Sequence, residues 1–369
     1  MAHEAPPPFR ADEVGSLLRP KKLADARKAR AEGKISSAEL RNIEDECIKA
    51  AIQKQEDVGL KAATDGEMRR AYWHFDFLGQ LGGVELKQEG KPISFHGRET
   101  KPYTLKVVDK IDYVKPIMVD DFKFVKANTR VTAKQTIPSP SVLHFRGGRR
   151  AIDTAVYPDL GDFFNDLGKA YNKAMRAFYD AGCRYLQLDE TNIAYLCDPD
   201  QLQALRDRGE DADNLLNVYA DVINQSIEGR PDDMTISMHL CRGNFRSTWI
   251  AQGGYEPVAE VLLNKINVDA YFMEYDNERS GGFEPLRFLP KGKTAVLGVV
   301  TSKTGELESK DFIKRRIEDA AKYAPIEQLA LSPQCGFAST EEGNELSEDQ
   351  QWKKLERCVE VAREVWGSV

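Results

Sequence analysis

Short apolar runs alternate along the chain with longer amphipathic stretches. The short runs have the length and β-branched content of strands, and the longer stretches have helical periodicity. About eight such alternations predict a (β/α)8 TIM barrel, an α/β fold with a parallel sheet. The strands are predicted at residues 14–16, 60–64, 131–137, 185–188, 235–240, 270–273, 295–300 and 329–331, and the main helices at 37–57, 160–181, 213–227, 257–265, 310–323 and 347–366.

Residues 82–126 depart from this alternation. Apolar and polar positions there follow a period of two, with turn signals at Gly90-Lys91-Pro92 and at Gly97-Arg98. The pattern predicts one or two hairpins inserted in the second βα connection, over one end of the barrel. The rest of residues 1–369 is expected to form a single TIM-barrel domain, with a charged surface helix at residues 20–34.

Composition narrows the class of protein. Of 369 residues, 41% are hydrophobic and 30% charged, the balance of a soluble globular chain, and the net charge of −7 gives no electrostatic case for nucleic acid or anionic membranes. No apolar run is long enough to span a bilayer, and the first residues lack a signal-peptide pattern. Six scattered cysteines show no disulfide spacing. We therefore expect a cytoplasmic protein with reduced thiols.

Four potential metal ligands follow three of the predicted strands. His239 and Cys241 are two residues apart on a strand and so face the same side. Glu274 ends the next apolar run, and Cys335 follows the turn at Pro333. Each residue alone is weak evidence, because a lone cysteine is most often a small core residue. Together, one imidazole, two thiolates and a carboxylate predict zinc and disfavour magnesium or calcium.

Further carboxylates follow other strands of the predicted barrel. Asp65 and Glu67 follow the second strand, and Asp189 and Glu190 follow the fourth. Barrel active sites form at the C-terminal ends of the strands, so these groups and the potential ligands predict one acidic, metal-bearing mouth. Asp65 and Glu190 are equally well explained as helix N-caps.

These motifs together resemble the catalytic domain of cobalamin-independent methionine synthase, over residues 9 to 366. The resemblance implies zinc and a 5-methyltetrahydropteroyltriglutamate–homocysteine S-methyltransferase activity, with methyl transfer from a folate to the thiol of homocysteine. It also implies roles for individual residues. The motifs that carry it are Val14-Gly15-Ser16, Asp65-Gly66-Glu67, Gln187-Leu188-Asp189-Glu190, His239-Leu240-Cys241, Glu274 and Pro333-Gln334-Cys335-Gly336; the implied metal ligands are His239, Cys241, Glu274 and Cys335, and the implied homocysteine-binding residues are Val14, Ser16, Glu67 and Asp189.

The chain departs from the family pattern in two respects. It has the catalytic barrel without the related N-terminal barrel of the full-length enzymes. It also lacks the family's histidine after the seventh strand, where it reads Gly298-Val-Val-Thr-Ser-Lys-Thr304. Lys303 and His74 are candidate substitutes as proton donors, although Lys303 is equally an ordinary loop lysine. Glu274 is expected to loosen from the metal when the substrate sulfur binds.

Two further groups are possible walls for the second substrate. The aromatic run at residues 72–77 follows Glu67, and its simpler interpretation is packing of a helix against the barrel. Arg146, Arg149 and Arg150 could meet an anionic donor such as the glutamate tail of a folate, although solvated surface arginines are more common.

Other functions remain compatible with the motifs. Alkyl transfer to another thiol such as coenzyme M, as in epoxyalkane transferases, would use the same metal site, and a corrinoid could be the methyl donor. Glu67 and Asp189 favour homocysteine over coenzyme M because a sulfonate thiol has no amino group to pair with them. A non-catalytic zinc-binding barrel would suit four protein ligands but not a mouth lined by additional carboxylates.

Overall fold

The centre of the fold is a curled sheet of seven parallel strands, whose spatial order follows their order along the chain. The computed structural model describes residues 6–89, 94–95 and 98–369. This sheet, with helices packed around it, is a TIM-barrel-like α/β fold. Its strands are β1 (Ala62–Ala63), β6 (Thr132–Pro138), β7 (Tyr185–Glu190), β8 (Thr235–Leu240), β9 (Ala270–Glu274), β10 (Thr294–Val300) and β11 (Leu329–Pro333); the shorter antiparallel strands between β1 and β6 are β2 (Gly82–Lys87), β3 (Ser94–Phe95), β4 (Arg98–Glu99) and β5 (Thr104–Asp112).

The N-terminal segment that pairs with β11, the last strand of the sheet, lies earlier in the sequence than predicted. Ala11 forms a parallel bridge with Leu331, and the amide of Asp12 donates to the carbonyl of Leu331 at 3.0 Å. The prediction of a strand at residues 14–16 is wrong. Gly15 has a φ of +144° and its carbonyl accepts from the Thr64 hydroxyl, so the chain has already left the sheet direction. Ser16 therefore lies in a loop beyond the strand end.

A buried polar group explains how residues 10–13 are held inside the sheet. The Asp12 carboxylate pairs with the Lys134 ammonium at 3.1 Å and accepts from the Tyr185 hydroxyl at 2.8 Å. The Lys134 ammonium also lies over the rings of Tyr185 and Phe272. Because all these side chains are fully enclosed, each buried charge is paired, as burial in a medium of low polarity requires.

Most of the predicted long helices are present. Helices α2 and α11 begin with capping boxes at Ser36 and Ser347, and α6 buries one apolar face against the sheet. The helix predicted at residues 257–265 is only a π-helical turn, Val261–Lys265. The helices are α1 (Lys21–Ala31), α2 (Ser37–Asp57), α3 (Phe75–Leu78), α4 (Val119–Asn128), α5 (Ser141–Phe145), α6 (Leu160–Asp180), α7 (Asn192–Tyr195), α8 (Pro199–Asp207), α9 (Leu215–Ser226), α10 (Lys310–Ala320) and α11 (Glu348–Trp366).

Between β1 and β6 the described chain forms two antiparallel pairs, β2 with β5 and β3 with β4. The β2–β5 pairing ends at Asp112, and helix α4 then leads into β6, so the predicted hairpin region extends beyond its antiparallel part. The turn signals at Gly90-Lys91-Pro92 and at Gly97 lie outside the described residues. Among the helices described, none is both long and apolar enough to cross a membrane.

Candidate metal centre

The four predicted metal ligands converge at the C-terminal ends of three strands. His239 and Cys241 come from the end of β8, Glu274 is the last residue of β9, and Cys335 follows β11 by two residues. Their ligand atoms all lie within 4.8 Å of one another, and all four side chains are buried. The parallel register of β8 and β9 pairs Leu240 with Met273, which brings the two strand ends level.

The geometry of this cluster suits a tetrahedral zinc ion. The Sγ atoms of Cys241 and Cys335 are 3.5 Å apart. Two thiolates bound to one zinc at its usual Zn–S distance would lie about 3.8 Å apart. Neither ring nitrogen of His239 makes a hydrogen bond of good geometry within the described part of the chain. A buried imidazole in that condition favours a partner other than a protein group.

The charges of the cluster favour a bound cation. The contact between the sulfurs of Cys241 and Cys335, in which either atom can be the donor, lowers the pKa of Cys335 well below its ordinary value and raises that of Cys241 well above it. Burial lowers the pKa of His239, but the negative charges of Cys335, Asp189 and Glu274 outweigh burial and the net direction is upward. The two sulfurs therefore do not both ionise readily in the protein alone. A divalent cation would stabilise both as thiolates.

Two neighbouring groups hold the Glu274 carboxylate in place, and the sequence analysis predicted neither of them. Its Oε1 accepts from the Arg242 amide at 2.9 Å, and its Oε2 accepts from the Arg279 guanidinium at 2.5 Å. Burial raises the pKa of Glu274, but Lys303 and Arg279 together lower it to about 2, so the carboxylate is charged. Arg279 lies five residues after Glu274 in a loop rich in charged residues. Its position in the sequence therefore did not identify it as a partner of Glu274.

Two carboxylates lie beside the cluster in the same mouth. Glu67 is buried with a φ of +56°, and its Oε1 accepts from the Thr136 hydroxyl at 2.8 Å, while its Oε2 has no hydrogen-bond partner among the described residues. Burial and the charge of Glu67 raise the pKa of Asp189 to about 7. A non-glycine residue in this backbone conformation is strained, and such strain occurs most often at functional sites. A pair of crowded carboxylates would be relieved by a cation such as an ammonium group.

The predicted residues Val14 and Ser16 also line the mouth. The Val14 carbonyl accepts from the Gln187 amide at 2.5 Å, and Gln187 also donates to Asp189 at 2.8 Å. The Ser16 hydroxyl accepts from the Ala338 amide at 3.3 Å, so the loop after β11 holds it. A Cβ at Gly336 would lie only 2.0 Å from the Ser16 Oγ, which explains the need for glycine after Cys335.

The two candidate proton donors are in different surroundings. The Lys303 ammonium is buried without a hydrogen-bond partner in the described chain, and its charge lowers the pKa of Glu274 and opposes the rise at Cys241. Lys303 is therefore not a solvated loop lysine. His74 lies in the wall of the mouth, where burial lowers its pKa well below the ordinary value. Its imidazole is neutral at neutral pH.

Much of the lining of the mouth is aromatic. It includes Tyr72, Trp73, His74, Phe75 and Tyr103, together with Phe95 and Phe245, whose ring centroids are 5.3 Å apart. Of the three predicted arginines only Arg146 lines the mouth. Arg149 donates to the carbonyl of Tyr157 and Arg150 to that of Arg208, so both are engaged elsewhere.

Comparisons with known proteins assign the family. The family model described as "Cobalamin-independent synthase, Catalytic domain" matches residues 9–364. The uncharacterized protein YxjG of Bacillus subtilis (strain 168) is 49% identical over 363 residues, 98% of this chain and 95% of its own length. The methionine synthase of Sulfurisphaera tokodaii is 26% identical over 88% of this chain and 84% of its own.

A solved structure leads to the same assignment. A Listeria monocytogenes protein of known structure is 42% identical, with a TM-score of 0.80 and coverage of 99% of this chain and 100% of that one. The similarity extends over whole chains and not over a shared fragment. The chain belongs to the cobalamin-independent methionine synthase family, as a member built on its catalytic domain.

Proposed function

We propose that this protein transfers a methyl group to the thiol of homocysteine, at a zinc ion held by His239, Cys241, Glu274 and Cys335. The observation that carries the proposal is the convergence of these four buried ligand atoms within 4.8 Å, beside a pair of carboxylates in the same mouth. Bound zinc would supply a thiolate at neutral pH, because it lowers the pKa of a coordinated thiol.

Glu67 and Asp189, together with the loop that carries Ser16, are the reason for proposing homocysteine as the thiol substrate. Glu67 and Asp189 would hold the ammonium group of homocysteine, which relieves the repulsion that raises the pKa of Asp189. Ser16 and the Val14 backbone lie on the same side of the mouth and would orient the amino acid. Coenzyme M carries a sulfonate and no amino group, so it would bring no cation to Asp189 or to the free Oε2 of Glu67.

Glu274 is arranged to loosen from the metal without losing its charge. Arg279 and the Arg242 amide already hold both of its oxygens. When the substrate sulfur binds, these partners would retain the displaced carboxylate, so that its release leaves no buried charge unpaired.

The proposal leaves the methyl donor open, and 5-methyltetrahydrofolate is the candidate donor that the family resemblance implies. Its amine nitrogen must gain a proton as it leaves. Lys303 and His74 are the candidate donors of that proton, and Lys303 is the better placed as a cation because His74 is neutral.

The test begins with binding of the thiol. X-ray absorption at the zinc edge should show one additional sulfur ligand when homocysteine is added to the zinc-loaded protein, with release of a proton. Coenzyme M is the matched control because it offers the same thiol without the amino group. An unchanged sulfur count with homocysteine would overturn the proposal. A response to coenzyme M alone would assign the protein to alkyl transfer onto that thiol, and no response to either would indicate a non-catalytic zinc barrel.

A further inference from the structure

The aromatic lining of the mouth has the construction of a cage for a methylated cation. The rings of Tyr72, Phe75 and Tyr103 contact one another, with centroids 5.3 to 5.8 Å apart. Trp73 and His74 extend this wall, which we call the aromatic cage, and every one of these residues lines the mouth that holds the metal cluster. Faces of aromatic rings attract sulfonium and quaternary ammonium groups, whose charge is spread over their methyl groups.

A single unpaired cation lies next to the aromatic cage. Arg146 lines the mouth and makes no ion pair with any carboxylate of the described chain, and its Nε is buried without a partner there. Its charge is close enough to His74 to contribute to the low pKa of that imidazole. An unpaired guanidinium at a binding mouth favours a carboxylate of the ligand, since a planar fork matches two carboxylate oxygens.

The same mouth also holds acidic groups. Glu67, Asp189, Cys241 and Cys335 line it together with the aromatic cage, and Glu274, the fourth residue of the metal cluster, is charged. One cavity therefore offers a guanidinium, aromatic rings and acidic side chains. That combination complements a short molecule with a carboxylate at one end and a methylated cation at the other.

We infer that the methyl donor is such a molecule, a sulfonium or quaternary ammonium carboxylate, bound by Arg146 and the aromatic cage. This inference rests on the proposed function, because it needs a thiolate acceptor in the mouth. It names the donor class that would occupy the space beside that acceptor.

The reaction balances without a proton or an oxidant. A lone pair on the thiolate sulfur forms the new bond to the methyl carbon. The bond from that carbon to the positive sulfur or nitrogen breaks, and its electron pair stays on the heteroatom, which leaves as a neutral sulfide or tertiary amine. An anion and a cation thus give two neutral groups, and such loss of charge is favoured in a site that excludes water.

The aromatic cage also suits a leaving group that needs no acid. Burial raises the pKa of Tyr72 and lowers that of His74, so neither is a ready proton donor near neutral pH. An amine nitrogen leaving as an anion would find no acid in this wall, whereas a neutral sulfide requires none.

The test supplies donors to the zinc-loaded protein with homocysteine. Methyl-labelled 3-(dimethylsulfonio)propionate, glycine betaine and 5-methyltetrahydrofolate are compared by mass spectrometry of the methionine formed. We expect label from at least one of the two onium carboxylates, with kcat/KM at least about tenfold above that for the folate. Label from the folate alone would overturn the inference and leave the proposed function intact. Absence of label from every donor, with homocysteine still bound at zinc, would also overturn it.

A second measurement distinguishes a role of Arg146 in binding the donor carboxylate from a general loss of activity in the variant. Trimethylsulfonium has the same reacting methyl group but no carboxylate. Arg146→Met should raise the KM for an onium carboxylate at least about tenfold and change that for trimethylsulfonium little. Arg150→Met is the matched control, because that side chain donates to the Arg208 carbonyl away from the mouth. Equal effects of Arg146→Met on both donors would contradict the assignment of Arg146 to the carboxylate.

Discussion

At the scale of single residues, the two sulfurs 3.5 Å apart are the most restrictive feature of the site. Their contact lowers the pKa of Cys335 and raises that of Cys241, so a cation is needed to hold both as anions at this distance. The charges of the cluster therefore favour a bound metal ion. Arg279 and Lys303 offset the negative charge of Glu274, and Arg279 also donates to its Oε2.

Cys335→Ser should abolish tight zinc binding. Loss of a group that only supports a ligand already costs roughly 10- to 100-fold in metal affinity, so loss of a thiolate should cost more than about a hundredfold. Competition with a chromophoric chelator measures the affinity. Cys47→Ser makes the same atomic change in helix α2, far from the cluster, and should leave zinc affinity unchanged. Equal zinc affinity in Cys335→Ser and the unmodified protein would contradict the assigned ligand set.

Glu67→Gln should separate substrate binding from metal binding. Glutamine keeps the size of the side chain and an oxygen for the Thr136 hydroxyl, but it removes the charge that would pair with the ammonium of homocysteine. We expect the KM for homocysteine to rise about tenfold or more at an unchanged zinc content. Glu44→Gln, at a buried carboxylate paired with Arg69 outside the mouth, serves as the control for loss of charge. A KM unchanged by Glu67→Gln would remove this residue from the binding site.

Residue types and spacing predicted which four potential ligands would converge, because strand ends carry a strong signal. His239 and Cys241 face one side by the alternation of a strand, and Glu274 and Cys335 each end an apolar run. Arg279 and Arg146 had no comparable signal. Their positions depend on how loops fold back over the strand ends, and one sequence with many arginines does not show which of them turn inward.

At the scale of elements, the loop after β11 connects the cluster of potential ligands to the loop that carries Ser16. Cys335 belongs to the cluster, Gly336 packs against Ser16, and the amides of Phe337 and Ala338 donate to Ser16. A change at Gly336 should thus act on the amino acid more than on the metal.

Gly336→Ala tests this connection. Its Cβ would lie 2.0 Å from the Ser16 Oγ, so the serine must move, at a cost of about 1–3 kcal/mol in stability. We expect a higher KM for homocysteine with zinc still bound, measured by steady-state kinetics and metal analysis. Gly254→Ala is the control, since a Cβ there meets its nearest neighbour at an ordinary 3.5 Å. Loss of zinc with an unchanged KM would show that the loop serves the metal instead.

Helices were predictable from the sequence where the spacing of apolar residues stayed regular over several turns. Helices such as α2 and α6 carry apolar faces over several turns, and their bounds agree closely with the predicted ones. The first strand was placed at residues 14–16, whereas the bridge to Leu331 lies at Ala11. The segment includes Asp12, whose buried carboxylate pairs with Lys134 across the sheet, and Glu13, whose backbone carbonyl accepts from the same ammonium. No local pattern of apolar residues shows such a partner.

At the scale of the whole molecule, the four potential metal ligands come from strands that are distant along the chain. Residues 239 and 335 are separated along the chain by β9, β10, helix α10, β11 and their loops, so a bound ion would cross-link the C-terminal rim of the sheet. The rim is also fastened by contacts of residues 336–345 with the β3–β4 pair and with residues 71–73, as in the Arg98–Glu345 ion pair at 2.6 Å. The folded state is thus expected to bind metal far better than the unfolded chain.

Removal of zinc should therefore lower thermal stability. A ligand that binds only the folded state adds about 4 kcal/mol at a thousandfold excess over its Kd, which for a chain of this size is a shift of several degrees in Tm. Scanning calorimetry with zinc, and after extraction by a strong chelator, measures the difference. Cys335→Ser should show a Tm that responds little to either treatment, which separates specific binding from weak surface effects of zinc. If the unmodified protein unfolds at the same temperature with and without the metal, the cluster does not bind zinc tightly, and the proposed function loses its basis. If extraction of zinc lowers the Tm and adding zinc restores it, the four protein ligands are sufficient to form the site.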